Sequence, residues 1–161
     1  MDFEHYTDEH RLFREQARKF ITSEIRPHAV EWEEAGGFPD ALFRRMGELG
    51  YFGILAPEKY GGSGLDLLYA AAWIEEMSAH CGAGGIAAGI DMHGLIVIPY
   101  LARGASEEMK ERLLVPAIKG EKIGALGLTE PGTGSDLASI QTTAKRDGDG
   151  YLLKGAKMFI T

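Results

Sequence analysis

The 161-residue sequence is 45% hydrophobic and 25% charged, which places it among globular chains and excludes disordered, fibrous and membrane classes. With 17 basic against 24 acidic residues the formal charge is −7, so the dense positive surface that nucleic acid or anionic membrane requires is absent. Cys81 is the single cysteine; it excludes an internal disulfide and a cysteine zinc cluster and reads as a small buried side chain in a reducing compartment.

In chain order, the start Met1-Asp2-Phe3-Glu4-His5 lacks signal- and transit-peptide patterns, making cytoplasm the expected location. Thr7 is placed to cap a first helix opening on Asp8 and Glu9, with Phe13, Ala17, Phe20 and Ile21 at helical spacing. A second short helix is predicted over Arg26–Glu34, with Pro27 in its first turn and Gly36-Gly37 as its stop. Pro39 opens a third, presenting Leu42, Phe43, Met46 and Leu49 on one face and ending at Gly50.

Pro57 through Gly64 is a turn-rich loop, after which Asp66 can cap a helix running through Ala71, Ile74 and Met77. Residues 82–103 combine Gly and Ala with Ile and Leu, a composition suited to closely packed helices. The longest apolar run there, Gly94 to Pro99, falls well short of the roughly 18 residues of a membrane span. Ser106 caps a further helix that Gly120 terminates. Trp32, Trp73, Met77 and Met92 fall on these helical stretches and read as core. The five histidines, His5, His10, His28, His80 and His93, lack metal-ligand spacing, and no metal site is expected.

From Ile123 the periodicity changes. Ile123–Leu128 is a compact apolar run, and Ile140–Arg146 and Tyr151–Thr161 read as strands, joined by the hairpin signal Asp147-Gly148-Asp149-Gly150. The alternating Asp residues lack the later ligands of a calcium loop. Gly155–Thr161 is strand material with no turn or return strand after it, which predicts a sheet left incomplete at the carboxy terminus. The fold class is therefore mostly α: a helical domain over residues 1–121, then the first antiparallel strands of a β-barrel-like domain over 122–161.

The segment most suited to chemistry is Leu126 through Asp136, an apolar run that breaks into Pro, two Gly and three hydroxyl-bearing residues. Such a loop can bring amide and hydroxyl donors against an anionic or carbonyl-rich ligand; the same residues also suit an ordinary strand-to-loop exit. It contains neither a Walker A lysine nor a G-x-G-x-x-G turn.

The string Leu128-Thr129-Glu130-Pro131-x-x-Gly134-Ser135-Asp136, followed by Met158-Phe159-Ile160-Thr161, resembles the two signatures of the acyl-CoA dehydrogenase family. Pro57–Gly64, Gly104–Lys110 and Gly120-Glu121 are similar to further family segments, so the resemblance covers essentially the whole chain. It implies an FAD-dependent oxidoreductase of fatty acid metabolism. Such an enzyme converts an acyl-CoA to the trans-2-enoyl-CoA, passes electrons to an electron-transfer flavoprotein and is a homotetramer. An acyl-CoA oxidase and a non-catalytic piece that only binds a partner are the alternatives.

By the same resemblance, Leu126, Leu128, Thr129 and Gly134 belong to the flavin site, Ser135 meets both the flavin pyrophosphate and the acyl-CoA, and Phe159 and Thr161 pack and hydrogen-bond against the ring. The family often has Trp where this chain has Phe159, which removes an indole N–H. His93 and Ile96 are candidates for the border of an acyl channel. The general-base Glu of the family is expected beyond Thr161, so no catalytic residue is assigned here. Glu130 reads as a structural member of the loop.

Overall fold

A computed structural model describes residues 4–160 and divides at Gly124/Ala125 into two compact units. The first is helical. Its α1 spans Asp8–Phe20 behind the Thr7 cap, whose hydroxyl accepts from the His10 amide while the His10 ring accepts from the Thr7 amide, so both ends of a capping box are satisfied. The remaining helices are α2 (Ala29–Ala35), α3 (Asp40–Glu48), α4 (Leu67–His80), α5 (Gly84–Asp91), α6 (Ile98–Gly104), α7 (Glu107–Met109) and α8 (Val115–Ile118). Gly36 and Gly50 follow α2 and α3 with φ of 71° and 81°, values that an L side chain resists.

Three π-helical turns, Ile21–Ile25, Met92–Val97 and Lys110–Leu114, each end two residues before a proline: Pro27, Pro99 and Pro116. A proline has no N–H and its ring crowds the carbonyl four residues back; a widened turn accommodates both without ending the helix. Gly84–Gly104 therefore runs as one 21-residue helix through Pro99. By length and composition alone it is apolar enough to cross a membrane, contrary to the expectation drawn from unbroken apolar runs, because Ile, Leu, Val and Ala carry the mean on both sides of Asp91 and His93, which interrupt the run. Ile86, Ile90, His93, Val97 and Ile98 are buried in the core of this unit.

That core gathers Phe20, Ile21, Ile25, Phe43, Met46, Phe52, Trp73, Met77, Ile90 and Leu114 around a line of rings. Phe38 stacks on Phe43 at 5.4 Å, Phe43 on Phe52 at 5.3 Å, and Phe52 meets the His93 ring edge-on at 4.5 Å. Each large side chain so enclosed is worth roughly 1.5–3 kcal/mol. Leu49, grouped by spacing with Leu42, Phe43 and Met46, is 42% exposed where α3 ends, and Ile74 is 44% exposed on the outer side of α4.

His93 is fully enclosed. Its Nε2–H donates to Ala117 O at 3.1 Å and its Nδ1 accepts from the Gly124 N–H at 3.1 Å, an arrangement open only to the neutral ring. Burial holds its pKa below the usual histidine value. It is a bridge to the last residues of the helical unit, with no atom free to border a channel; Ile96 is 46% exposed.

Glu76 on α4 is 1% exposed. It receives Arg14 Nη2 at 2.8 Å and Arg18 Nε at 2.8 Å from α1, and His80 Nε2 lies 3.3 Å away. Burial pushes this carboxyl up, but the Arg18 and Arg14 guanidiniums outweigh it and hold the pKa below the ordinary value.

In the second unit β1 (Thr143–Asp147) pairs antiparallel with β2 (Gly150–Lys154), closing at Asp147↔Gly150 around Gly148 with φ of 56°. The Asp-Gly hairpin forms where its residues predict it. Both strands are shorter than the runs that announced them, and Ile123–Leu128 joins no ladder among the described residues. An apolar run becomes a strand only beside a partner. Thr161 lies outside the described residues, as do Met1, Asp2 and Phe3.

Replacing Glu76 with Gln leaves Arg18 without its counter-charge and Arg14 with only the half-exposed Glu75, 3.1 Å away. Arg18 is half exposed, so the expected loss is about 3 kcal/mol, the low end for breaking a buried pair. Chemical denaturation at neutral pH measures it. Because the carboxyl's pKa is depressed in the fold, wild type should approach the variant as pH falls below about 4.3, the unfolded value.

Candidate functional site

The loop singled out in the sequence lies in the second unit and is organised by Glu130. A tight turn through Pro131-Gly132 closes with Glu130 N–H to Thr133 O at 3.0 Å and Thr133 N–H to Glu130 O at 3.1 Å. The buried Thr133 hydroxyl then donates to Ser139 O at 3.1 Å. The Glu130 carboxylate, 7% exposed, accepts from Gln141 N–H at 2.8 Å, Thr142 N–H at 3.0 Å and Lys157 Nζ at 2.9 Å.

The adjacent Thr142 hydroxyl, the Gln141 amide and the Lys157 ammonium hold the carboxyl at a pKa of about 2, against the upward push of burial. Thr142 Oγ1 lies outside hydrogen-bonding geometry and has no partner of its own, so the two amides and the ammonium carry the tie. A carboxylate with its oxygens so occupied is not available as a general base.

Lys157 also reaches Leu128 O at 3.0 Å, and Met158 N–H donates to Thr129 O at 3.0 Å. These bonds bring together the two segments that the sequence reading set apart, Leu126–Ser135 and Phe159 with its neighbours. Leu126 and Thr129 are half-buried; Leu128, Gly134 and Ser135 are exposed. The Thr129 and Ser135 hydroxyls engage no protein group among the described residues, and the space beside Gly132 and Gly134 is open.

Phe159 is 87% exposed, on a backbone with φ of 54°. A large aromatic held in the left-handed region is unusual and points to an external constraint or function. The turn it makes also explains why Gly155–Ile160 does not continue β2. Lys157, Thr133 and Ser139 were not singled out from the sequence. A lone lysine in a strand-like run carries no signal, and its partner Glu130 is 27 residues away.

Comparison with known proteins matches residues 7–121 to the description "Acyl-CoA dehydrogenase, N-terminal domain" and residues 125–161 to "Acyl-CoA dehydrogenase, middle domain". The chain is 42% identical over 157 residues to the mitochondrial long-chain specific acyl-CoA dehydrogenase of Sus scrofa, covering 97% of this chain and 36% of that protein. Among solved structures, an acyl-CoA dehydrogenase from Geobacillus kaustophilus superposes with a TM-score of 0.90 at 40% identity, over 99% of this chain and 41% of that one. A glutaryl-CoA dehydrogenase from Mycobacterium smegmatis in complex with FADH2 gives 0.87 at 30% identity, over 96% and 39%. The chain thus spans about two fifths of the length of these relatives.

Replacing Glu130 with Gln should release the tie between the loop and residues 141, 142 and 157. Hydrogen exchange at the Gln141 and Thr142 amides is expected to accelerate at least tenfold in the variant. Wild type should show the same loosening as pH falls from about 4.3 toward 2, since a depressed carboxyl stabilises the fold only while ionised. Unchanged exchange in the variant would show that the loop is held by other means.

Proposed function

The chain belongs to the acyl-CoA dehydrogenase family, and on that basis we propose that the intact protein is an FAD-dependent oxidoreductase that introduces the α,β double bond of an acyl-CoA thioester. The observation that carries this reading is the pairing of the two signature segments through Lys157 and Met158. The residues fit the cofactor. Two hydroxyls without protein partners, open space beside two glycines and a bare aromatic ring suit a flat, carbonyl-rich, partly anionic ligand.

FAD, when bound, supplies the hydride acceptor of the reaction. Thr129 donates a hydrogen bond toward the ring system, favouring the negative charge that gathers there on reduction. Ser135 binds at the pyrophosphate and beside the thioester, Gly134 permits the close approach, and Leu126, Leu128 and Phe159 exclude water from the ring. Thr161 completes this wall by resemblance to the family. Glu130 and Lys157 hold the loop in place and exchange no proton with substrate.

The α-proton falls to a glutamate that the family carries in a carboxy-terminal helical domain, so the 161 residues alone are inactive in this reading. Electron-transfer flavoprotein as acceptor, a homotetrameric assembly and a cytoplasmic location complete the proposal. The family resemblance supports the first two, and the lone, buried Cys81 suits a reducing compartment.

The test uses the visible absorbance of bound flavin. The intact protein should bleach anaerobically on adding an acyl-CoA, whereas the 161-residue chain mixed with FAD should not. Bleaching by the short chain would sink the claim that it lacks the base. Thr129→Val and Ser135→Ala should each weaken FAD binding about tenfold, the equivalent of one well-made hydrogen bond; unchanged affinity in the double variant would remove the cofactor assignment.

A further inference from the structure

A groove lined by residues of the helical unit alone involves none of the segments assigned above. It has a volume of about 680 Å³ and runs between the Leu55–Leu68 stretch and α6. This is within the range of small-molecule sites. Leu55, Leu65, Leu68, Pro99 and Ala102 make its walls aliphatic. Leu67, the first residue of α4, adds a side chain that is 71% exposed, at a position where polar residues are the rule.

Two charged residues also line it, Asp66 and Arg103, and they differ in one respect. The Asp66 carboxylate is engaged through Oδ1, which accepts from the Leu68 N–H at 2.8 Å as the cap of α4 and lies 3.4 Å from His10 Nε2. The Arg103 guanidinium is exposed and has no hydrogen-bond or ion-pair partner among the described residues. Its place in the last turn of α6 suits the helix dipole, but that leaves all of its donors unbonded. The groove thus offers an aliphatic wall and one uncommitted planar cation, the complement of a chain-like amphiphile with a carboxylate head.

We propose that this groove is a second ligand site, separate from the flavin loop, that binds the anion of a medium-chain carboxylic acid. The tail lies on Leu55, Leu65, Leu68, Pro99 and Ala102, and the carboxylate takes the Arg103 fork. A protein segment or a neutral apolar molecule would use the wall without needing the guanidinium.

Decanoate and decanol, titrated calorimetrically into the 161-residue chain and its variants, test the proposal. Decanoate should bind saturably to wild type. Arg103→Gln should weaken it about tenfold, leaving decanol affinity unchanged. Ala102→Trp, which fills the groove, should abolish both, with circular dichroism confirming that the helices persist. Absence of saturable decanoate binding, equal decanoate affinity in Arg103→Gln, or full binding by a folded Ala102→Trp would each overturn it.

Discussion

Glu130 is a carboxylate whose oxygens receive donors from residues 141, 142 and 157, and it ties the Glu130–Thr133 turn to the start of the hairpin and to the segment after it. Charge-assisted bonds of this kind are worth about 1.5–3 kcal/mol each. No apolar core competes with them: β1 and β2 are exposed along their full length on both faces, and a two-stranded hairpin alone is marginal in water. Electrostatics therefore position the loop.

The helical unit is built the opposite way. Its rings and aliphatic side chains supply the stabilisation, and two of its enclosed polar groups, Glu76 and His93, supply direction. Glu76 fixes α4 against α1 through charge, with three basic groups around one carboxylate. His93 fixes the exit of the chain through hydrogen-bond polarity, since one nitrogen gives and the other receives. Reciprocal glycine contacts reinforce that exit: a side chain on Gly47 would collide with the Lys119 backbone, and one on Gly120 with the Phe43 backbone. Residues 117–124 are consequently held by side chain and main chain together.

The helices were legible because their signals are local. Thr7, Asp66 and Ser106 cap where they should, Gly36 and Gly50 turn the chain where they should, and the Asp-Gly hairpin closes on its own four residues. Strand extents were not, because an apolar run such as Ile123–Leu128 carries no record of its ladder partner. The candidate site divides along the same line. Its hydroxyls, glycines and aromatic ring were recognisable as motifs, whereas Lys157, which joins those motifs, depends on a contact 27 residues distant. Helix length escaped in a third way, since the apolar run that ends at Pro99 was counted alone and the helix passes through that residue.

Each π turn holds one residue more than the α turn it replaces, so the helix beyond it is rotated by roughly 100° relative to the helix before it. In Gly84–Gly104 this puts the core-facing stripe of α5 and that of α6 out of phase. Deleting any one residue from Met92–Val97 would restore a regular helix by hydrogen-bond count while turning Ile98 and its neighbours away from the core. Alignments that slide a single-residue gap through this stretch would thus compare side chains about a quarter-turn apart on the same rod, and the proline two residues downstream marks where the phase must be reset.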